Sequence, residues 1–230
     1  MSANNSYLVA GSKPWNKRVF DEVISRYQGE WSYVDSPEQL DRAVQRDRPR
    51  YIFFLHWSWR VPKEIVHGQE CVCFHMADVP YGRGGSPLQN LIVLGHRKSI
   101  LSALRMVDEF DAGPVYLKEE LSLEGGAEEV YIRATYLSAK MIRTIVEEEP
   151  TPQPQEGEAM LFRRRMPSES QIPKLSSVLG LFDFIRMLDA EGYPRAFLEH
   201  NGFRYKFSRP ALYDGRVAAD VTITRLGDET

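Results

Sequence analysis

The sequence has 230 residues, which is enough to bury a full hydrophobic core and at most one small additional domain. Its formal net charge is −3, so there is no basic excess to neutralise phosphates, and we expect no nucleic-acid partner. The first residues are polar and no apolar run approaches the roughly 18 residues of a membrane span, so we expect neither a signal peptide nor a membrane partner. This composition is typical of a cytoplasmic globular protein.

The two cysteines, Cys71 and Cys73, lie two residues apart in one predicted strand. Side chains at that spacing point to the same face of a strand, about 7 Å apart, and are poorly placed to form a disulfide. We therefore expect a reduced protein. Because no second cysteine pair is present, the sequence predicts no metal site.

The first part of the chain alternates predicted strands with predicted helices. The strands are Tyr7–Gly11, Trp31–Val34, Tyr51–Leu55, Glu70–His75, Ser99–Val107 and Val115–Lys118. Helices begin at Pro14 and Pro37 and span Pro62–Val66, Ser86–Leu94 and Gly126–Glu147. This alternation, with a continuous apolar run in the third strand, predicts an α/β fold with a Rossmann-like, mostly parallel sheet. The turn after the first strand lacks the G-x-G-x-x-G pattern, which disfavours a dinucleotide site.

A proline-rich, acidic segment divides the chain. Residues 149–158 contain three prolines and no apolar residue, a composition typical of a linker. We therefore predict a larger domain over 1–148, a linker over 149–158 and a small α+β subdomain over 159–230. The predicted elements of the small subdomain are Met160–Phe162, Val178–Ala190, Ala196–His200, Phe203–Ser208 and Val217–Thr224. Asn201-Gly202 is a strong signal for a hairpin.

Two segments carry the polar residues expected of a functional site. The strand Glu70–His75 ends on a histidine and runs into a loop that contains Pro80-Tyr81-Gly82-Arg83-Gly84. An acidic turn, Val107–Gly113, follows a later strand. Ligands of open α/β sheets bind at the carboxyl ends of the strands, so we expect the two segments to meet at adjacent strand ends.

These segments resemble the formyltransferase family that uses 10-formyltetrahydrofolate. In that family a strand ending Asn-x-His runs into a loop with proline, arginine and glycine, and a later Asp-x-Gly turn completes the site. The residues that match this pattern are His75, Pro80, Arg83, Gly84, Asp111 and Gly113. Cys73 stands where the family has asparagine.

The resemblance implies the formyltransferase fold, 10-formyltetrahydrofolate as co-substrate and no metal. It implies that His75 and Asp111 form the catalytic pair, with Cys73 beside them. The residues that the resemblance and the loop positions favour for binding the folate are Trp57, Trp59, Val61, Pro62, Arg83, Gly84, Val107, Glu109, Phe110 and Gly113. For the two tryptophans, core packing is the alternative.

Cys73 has three competing interpretations, because a thiol is a weaker donor than an amide. It is a packing residue, with the oxyanion stabilised by a His75 imidazolium and backbone N–H groups. Alternatively it donates weakly, or the site does not turn over. A nucleophilic cysteine is disfavoured, since no sequence feature indicates a lowered thiol pKa.

The compact C-terminal part resembles the sugar-nucleotide branch of the family, whose catalytic domain is like that of methionyl-tRNA formyltransferases. Within this branch, Phe74-His75-Met76 together with residues 82–90 resembles the pseudaminic-acid type. This implies an acceptor amine on a nucleotide-linked amino-dideoxy sugar, with a UDP-linked 4-amino-4,6-dideoxy sugar favoured. The candidate acceptor-binding residues are Ser12, Lys13, Arg83 and Gln89. Ser12 and Lys13 precede a helix whose N-terminus would favour a diphosphate, although a solvated Lys13 explains the pattern equally well.

Two alternatives to a sugar nucleotide stay open. One is a formyltransferase that acts on an amino-acid or peptidyl amine. The other is a catalytically silent folate-binding protein, which the cysteine at position 73 motivates. The sequence leaves a homodimer open as well.

Overall fold

The computed structural model describes residues 5–227. The strands are β1 Ser6–Gly11, β2 Glu30–Val34, β3 Tyr51–Leu55, β4 Glu70–His75, β5 Tyr81–Gly84, β6 Lys98–Arg105, β7 Val115–Ser122, β8 Met160–Phe162, β9 Ala196–His200, β10 Phe203–Tyr213 and β11 Arg216–Arg225. The helices are α1 Pro14–Glu22, α2 Pro37–Asp47, α3 Lys63–Gly68, α4 Pro87–Val93, α5 Ala127–Glu148 and α6 Val178–Arg186. Short 3-10 turns cover Ile24–Arg26 and Pro167–Ser170.

The described chain groups into two compact units. The first contains residues up to 84, 100–121 and 132–161, and the second contains 85–99, 122–131 and the chain from 162 onwards. The proposed domain boundary at 149–158 stays a prediction.

A six-stranded sheet in the order β2-β1-β3-β4-β6-β7 dominates the first unit. The pairs β1–β2, β1–β3 and β3–β4 are parallel, which confirms the predicted mostly parallel α/β fold. The pair β4–β6 is antiparallel, with His75 opposite Ser102 and Val72 opposite Arg105. Strand–helix alternation alone therefore gave the wrong direction for β6, because the chain between β4 and β6 also includes the short strand β5.

The central strand β3 is buried along its whole length, as its apolar run predicts. A cluster of buried side chains covers one face of the parallel strands: Leu8, Ala10, Val34, Leu40, Ala43, Ile52, Phe54, Val61, Ile65 and Cys71. Burial of this apolar surface stabilises the first unit at roughly 25 cal/mol per Å².

The second unit contains an antiparallel sheet in the order β11-β10-β9. The hairpin that joins β9 and β10 has Asn201 at φ 49° and Gly202 at φ 79°, as the predicted turn requires. Helix α6 packs on β10 and β11, and α4 packs on α6. Helix α6 ends at Arg186, four residues before the predicted end at Ala190.

The short strands β5 and β8 form a separate two-stranded sheet, and β5 was predicted as loop. No helix within residues 5–227 is both long and apolar enough to cross a lipid bilayer. Those same residues contain no group of three or more histidine, cysteine, aspartate or glutamate side chains placed to hold a metal ion.

Candidate active site

His75 ends β4, and both nitrogens of its ring face oxygen atoms. The ring is only 7% exposed. Its Nε2 lies 2.7 Å from the carbonyl oxygen of Gly82, and its Nδ1 lies 3.4 Å from Oδ1 of Asp111. Carbonyl and carboxylate oxygens only accept hydrogen bonds, so a doubly protonated imidazole satisfies both neighbours while a neutral ring satisfies one.

Asp111 approaches His75 from the loop between β6 and β7. Its backbone has φ 54°, in the left-handed region that aspartate adopts more readily than most residues. Oδ2 accepts a hydrogen bond from the N–H of Gly84 at 2.9 Å, while Oδ1 faces the His75 ring. Hydrogen bonds to charged groups contribute roughly 1.5–3 kcal/mol. One carboxylate therefore joins the ends of β4 and β5.

The route of the chain to Asp111 differs from the prediction. Because β6 is antiparallel to β4, its last residue, Arg105, pairs with Val72 rather than with the end of β4. The loop after β6 must then extend back towards His75. The expectation of two adjacent carboxyl strand ends is wrong, but the two segments do meet, as the distance between His75 and Asp111 shows.

Gly113 allows this loop to close against the end of β6. The Arg105 N–H donates to the Pro114 carbonyl at 2.9 Å, and the Met106 N–H donates to the Cys71 carbonyl at 2.8 Å. A Cβ atom at Gly113 would lie 1.8 Å from the Arg105 carbonyl oxygen. Real Cβ atoms do not approach backbone oxygen so closely, so only glycine fits at this position without a shift of the loop.

A cavity of about 70 Å³ lies next to Asp111. Its lining residues are Arg60, Val61, Lys63, Val66, Cys73, Leu104, Arg105, Met106, Val107, Asp108, Glu109, Phe110, Asp111 and Gly113. The backbone N–H groups of Val107–Phe110 donate to no backbone carbonyl among residues 5–227. Apolar walls beside backbone donors suit a flat ring that has polar groups on its edge.

The residues predicted to bind a folate fall into two groups. Val61, Val107, Glu109, Phe110 and Gly113 line the cavity. The remaining five, Trp57, Trp59, Pro62, Arg83 and Gly84, are outside its lining. Two of these five nonetheless lie at the site, because the Gly84 N–H binds Asp111 and Arg83 is the residue before it.

Trp57 belongs to the core rather than to the cavity. It packs against the buried cluster of the first unit, at 5.9 Å between ring centroids from Phe54. Trp59 is 45% exposed and contacts Trp57 at 4.9 Å between centroids. The arrangement of Trp57 matches the core-packing alternative, whereas the exposed Trp59 leaves a ligand contact as a prediction.

Two of the predicted acceptor-binding residues, Ser12 and Lys13, follow β1. The Ser12 hydroxyl donates to the His56 carbonyl at 2.6 Å, and its oxygen lies 2.8 Å from the hydroxyl oxygen of Ser58. Lys13 precedes α1, and its backbone N–H donates to the Asn16 side chain.

Gln89 belongs to the second unit and is buried there. Its amide donates to the Tyr131 hydroxyl at 2.9 Å and to the Met187 carbonyl at 3.1 Å. Both hydrogen bonds join elements of the second unit, so they account for this side chain by packing. Contact with an acceptor remains a prediction for Gln89.

The chain was compared with known proteins. The family model described as "Methionyl-tRNA formyltransferase, C-terminal domain" matches residues 167–224. The solved structure of a methionyl-tRNA formyltransferase from Clostridium thermocellum is 41% identical, with a TM-score of 0.90, and the match covers 96% of this chain and 99% of that one. The chain belongs to the formyltransferase family. The predicted family and fold are thereby confirmed.

More distant relatives do not show to which branch of the family the chain belongs. A methionyl-tRNA formyltransferase from Rickettsia prowazekii is 31% identical over 51% of this chain, which spans only 38% of that relative. A sugar N-formyltransferase from a Shewanella species is 12% identical with a TM-score of 0.62, over 96% of this chain and 98% of that one. At that identity the likeness shows the fold alone. The predicted place in the sugar-nucleotide branch is thus not shown.

Cys73, the departure from the family pattern, is half-buried and lines the cavity. Burial and the nearby Asp111 carboxylate raise the pKa of its thiol well above the ordinary value. Burial likewise raises the pKa of Cys71 to about 12. Both thiols are therefore protonated at neutral pH, which opposes a nucleophilic role for either cysteine in this formyltransferase.

Sequence reasoning missed Gln155, which lies in the predicted linker. Its amide nitrogen donates to the carbonyls of Asp111 and Gly113, each at 2.7 Å. Its amide oxygen accepts from Nε of Arg83 at 2.9 Å. The proline-rich composition around it indicates an extended segment, and an isolated polar residue there carries no signal of its contacts.

Replacing Gly113 with alanine should destabilise the first unit by about 1–3 kcal/mol, because the new methyl group collides with the Arg105 carbonyl. Urea unfolding followed by circular dichroism measures this change. Gly68→Ala is the matched control, since a Cβ there meets nothing within 4 Å, and it should leave stability unchanged or raise it by up to about 1 kcal/mol. Equal stability of the two variants would contradict the close approach of the loop.

Proposed function

We propose that this formyltransferase moves a formyl group from 10-formyltetrahydrofolate to a primary amine. The observation that carries the proposal is the contact of His75 with Asp111 beside a cavity, in a chain 41% identical over its length to a methionyl-tRNA formyltransferase. An imidazole and a carboxylate in contact supply a group that exchanges protons and a group that fixes it.

The lining of the cavity matches the chemistry of a folate, but its volume of about 70 Å³ is below the roughly 300–1,000 Å³ of typical ligand pockets, so the cavity has to widen for the ring to enter. The ring of a pterin has hydrogen-bonding groups along its edge, and the N–H groups of Val107–Phe110 donate to no backbone carbonyl within residues 5–227. Val61 and Leu104 contribute apolar contact area. Phe110, which is 71% exposed, would lose that exposure against a bound ligand. The formyl group would then lie near two lining residues, Cys73, which shares β4 with His75, and Asp111, which contacts the His75 ring.

The proposed reaction is acyl transfer, and its bonds balance as follows. The nitrogen of a neutral amine bonds to the formyl carbon, and the formyl oxygen takes the electron pair. The bond between that carbon and the folate nitrogen then breaks, and the folate nitrogen gains a proton while the amine loses one. We assign this proton exchange to His75, whose Nε2 has to leave the Gly82 carbonyl to reach the reacting atoms, and the positive charge of the protonated ring stabilises the oxyanion.

Asp111 fixes the His75 ring in this scheme and stabilises its charge. The separation of 3.4 Å between Nδ1 and Oδ1 is longer than a strong ionic hydrogen bond, which typically measures about 2.7–2.9 Å. Catalytic hydrogen bonds are often long in free enzymes and shorten in the complex. The N–H of Gly84 holds the second carboxylate oxygen and leaves the first directed at His75.

For the acceptor we favour an amino-acid amine, such as the one that methionyl-tRNA carries. Support comes from the Clostridium thermocellum and Rickettsia prowazekii relatives and from the family model that matches residues 167–224, all of which bear that name. These relatives weigh against two expectations from sequence, a sugar-nucleotide acceptor and the absence of a nucleic-acid partner. The net charge of −3 means that any RNA contact depends on local clusters of cations rather than on the whole surface.

A nucleotide-linked amino sugar is the second candidate acceptor. Its support is the fold shared with the Shewanella sugar N-formyltransferase, at a TM-score of 0.62 over 96% of this chain. Chain length does not separate the two acceptors, because the Clostridium thermocellum methionyl-tRNA formyltransferase is matched over 99% of its length. The two acceptors share the chemistry of a primary amine, so the site around His75 serves either one.

An acceptor screen separates these candidates. The full chain is incubated with 10-formyltetrahydrofolate and, in turn, methionyl-tRNA, free methionine and a UDP-linked 4-amino-4,6-dideoxy sugar, and products are identified by mass spectrometry. We expect formylation of methionyl-tRNA. Formylation of the sugar alone would overturn the favoured acceptor but keep the enzyme class. Folate binding without transfer to any of these amines would support the silent binding protein.

Substitutions of the catalytic pair should be far more costly than substitutions of Cys73. Loss of a positioned acid–base group costs about 10²–10⁴ in rate, so His75→Ala and Asp111→Asn should each lower kcat by at least about 100-fold. Cys73→Ser should lower kcat by less than about tenfold, because a protonated thiol is a weak donor. Steady-state formylation assays check these values, with circular dichroism to confirm folding.

Two outcomes would contradict this assignment of roles. Near-normal turnover by His75→Ala would remove the histidine from the chemistry. If Cys73→Ser were as inactive as His75→Ala, the thiol would have to act on the reacting atoms, and the packing interpretation of Cys73 would be wrong.

A further inference from the structure

The segment between α5 and β8 runs along the loop that carries Asp111. Gln153 and Val115 form an antiparallel bridge, with N–H to carbonyl distances of 2.7 and 2.8 Å. Two residues further on, the half-buried Gln155 directs its amide at the loop. The bridge therefore sets the position from which Gln155 reaches the site.

One amide group of Gln155 joins the two loops that hold the Asp111 carboxylate. Its nitrogen donates to the backbone carbonyls of Asp111 and Gly113, one on the residue itself and one two positions later. Its oxygen accepts from Arg83, the residue immediately before the Gly84 N–H that binds Asp111 Oδ2. The amide of Gln155 thus binds the backbone of the residue that carries the carboxylate and the neighbour of the Gly84 N–H that the carboxylate accepts from.

We propose that Gln155 is a positioning residue that sets the orientation of Asp111 towards His75. The proposal rests on the proposed function, in which Asp111 fixes the His75 ring. The backbone of Asp111 has φ 54°, in the left-handed region that aspartate tolerates better than most residues, so the contacts around this turn decide how firmly it is held. Gln155 satisfies the carbonyl of this residue and so holds the turn that aims the carboxylate.

The chemistry of the side chain explains why glutamine stands at this position. Two carbonyl oxygens require N–H donors, and the Arg83 guanidinium requires an acceptor. An amide supplies both from one group. A glutamate would keep an acceptor for Arg83 but would place a carboxylate against the carbonyls of Asp111 and Gly113, and alanine would leave all three partners without this contact.

Gln153 provides a matched control on the same segment. Its side chain is exposed and donates only to the Thr151 carbonyl, at 2.9 Å. The bridge to Val115 uses the backbone of Gln153, so Gln153→Ala leaves it in place. The two substitutions remove the same side chain two positions apart, and only one of them touches the Asp111 loop.

The test compares kcat and KM of the full-length wild type, Gln155→Ala, Gln155→Glu and Gln153→Ala in the formylation assay. A displacement of about 1 Å in a catalytic group costs about 100-fold, so we expect Gln155→Ala and Gln155→Glu to lower kcat by at least tenfold. We expect Gln153→Ala to retain wild-type kcat. A kcat for Gln155→Ala equal to that of wild type, or an equal loss in Gln153→Ala, would overturn the proposal.

A double variant shows whether Gln155 acts through Asp111. If it does, Asp111→Asn combined with Gln155→Ala loses no more kcat than Asp111→Asn alone, because the orientation of the carboxylate no longer matters. Losses that multiply would mean that Gln155 acts independently of Asp111, and the proposal would fail. If Gln155→Ala lowered kcat only by unfolding part of the protein, its loss would likewise multiply with that of Asp111→Asn, and the proposal would fail in the same way.

Hydrogen exchange distinguishes failure of this proposal from failure of the proposed function. The amides of Met106 and Ala112, which donate to the carbonyls of Cys71 and Glu109, should exchange faster in Gln155→Ala than in wild type or Gln153→Ala, whether or not the chain transfers formyl groups. If wild type proves inactive but this difference is present, the formyl-transfer function fails and the anchoring of the Asp111 loop stands. If wild type is active and exchange is unchanged in Gln155→Ala, the anchor fails alone.

Discussion

The contact between the Asp111 carboxylate and the His75 ring is the constraint on which the rest of the site depends. Because β6 runs antiparallel to β4, the loop after β6 begins away from His75 and has to extend back to it. A backbone in the left-handed region at Asp111 and a glycine at position 113 are the local conditions for that return. The carboxylate then bridges β4 and β5 through the Gly84 N–H.

The parallel core and the C-terminal hairpin were predictable from local patterns. A continuous apolar run such as Tyr51–Leu55 is typical of a strand buried on both faces, and Asn201-Gly202 is favoured in a two-residue turn with positive φ values. The direction of β6 was not predictable in this way. Its direction depends on the number of crossings between β4 and β6, and the four-residue strand β5 in that stretch has the composition of a loop.

The residues of the candidate site that belong to short sequence motifs were predictable. The residue that reaches the site only through tertiary contacts was not. His75, Asp111 and Gly113 belong to motifs with fixed spacing, and the structure brings the two side chains together. Gln155 forms its hydrogen bonds with backbone carbonyls about forty residues earlier in the chain, and such bonds leave no periodicity or residue preference in the sequence. Prolines and acids around it are compatible with a free linker and with an ordered segment alike.

His75 and Asp111 act as one unit in the proposed mechanism, and kcat of the double variant His75→Ala with Asp111→Asn tests this most directly. If the carboxylate works only by fixing and charging the ring, removal of the ring leaves it nothing to act on. We therefore expect kcat of the double variant to equal that of His75→Ala alone, within about twofold. If Asp111→Asn lowers kcat by the same factor in the His75→Ala background as in wild type, the two residues act independently. That result would contradict the proposed mechanism.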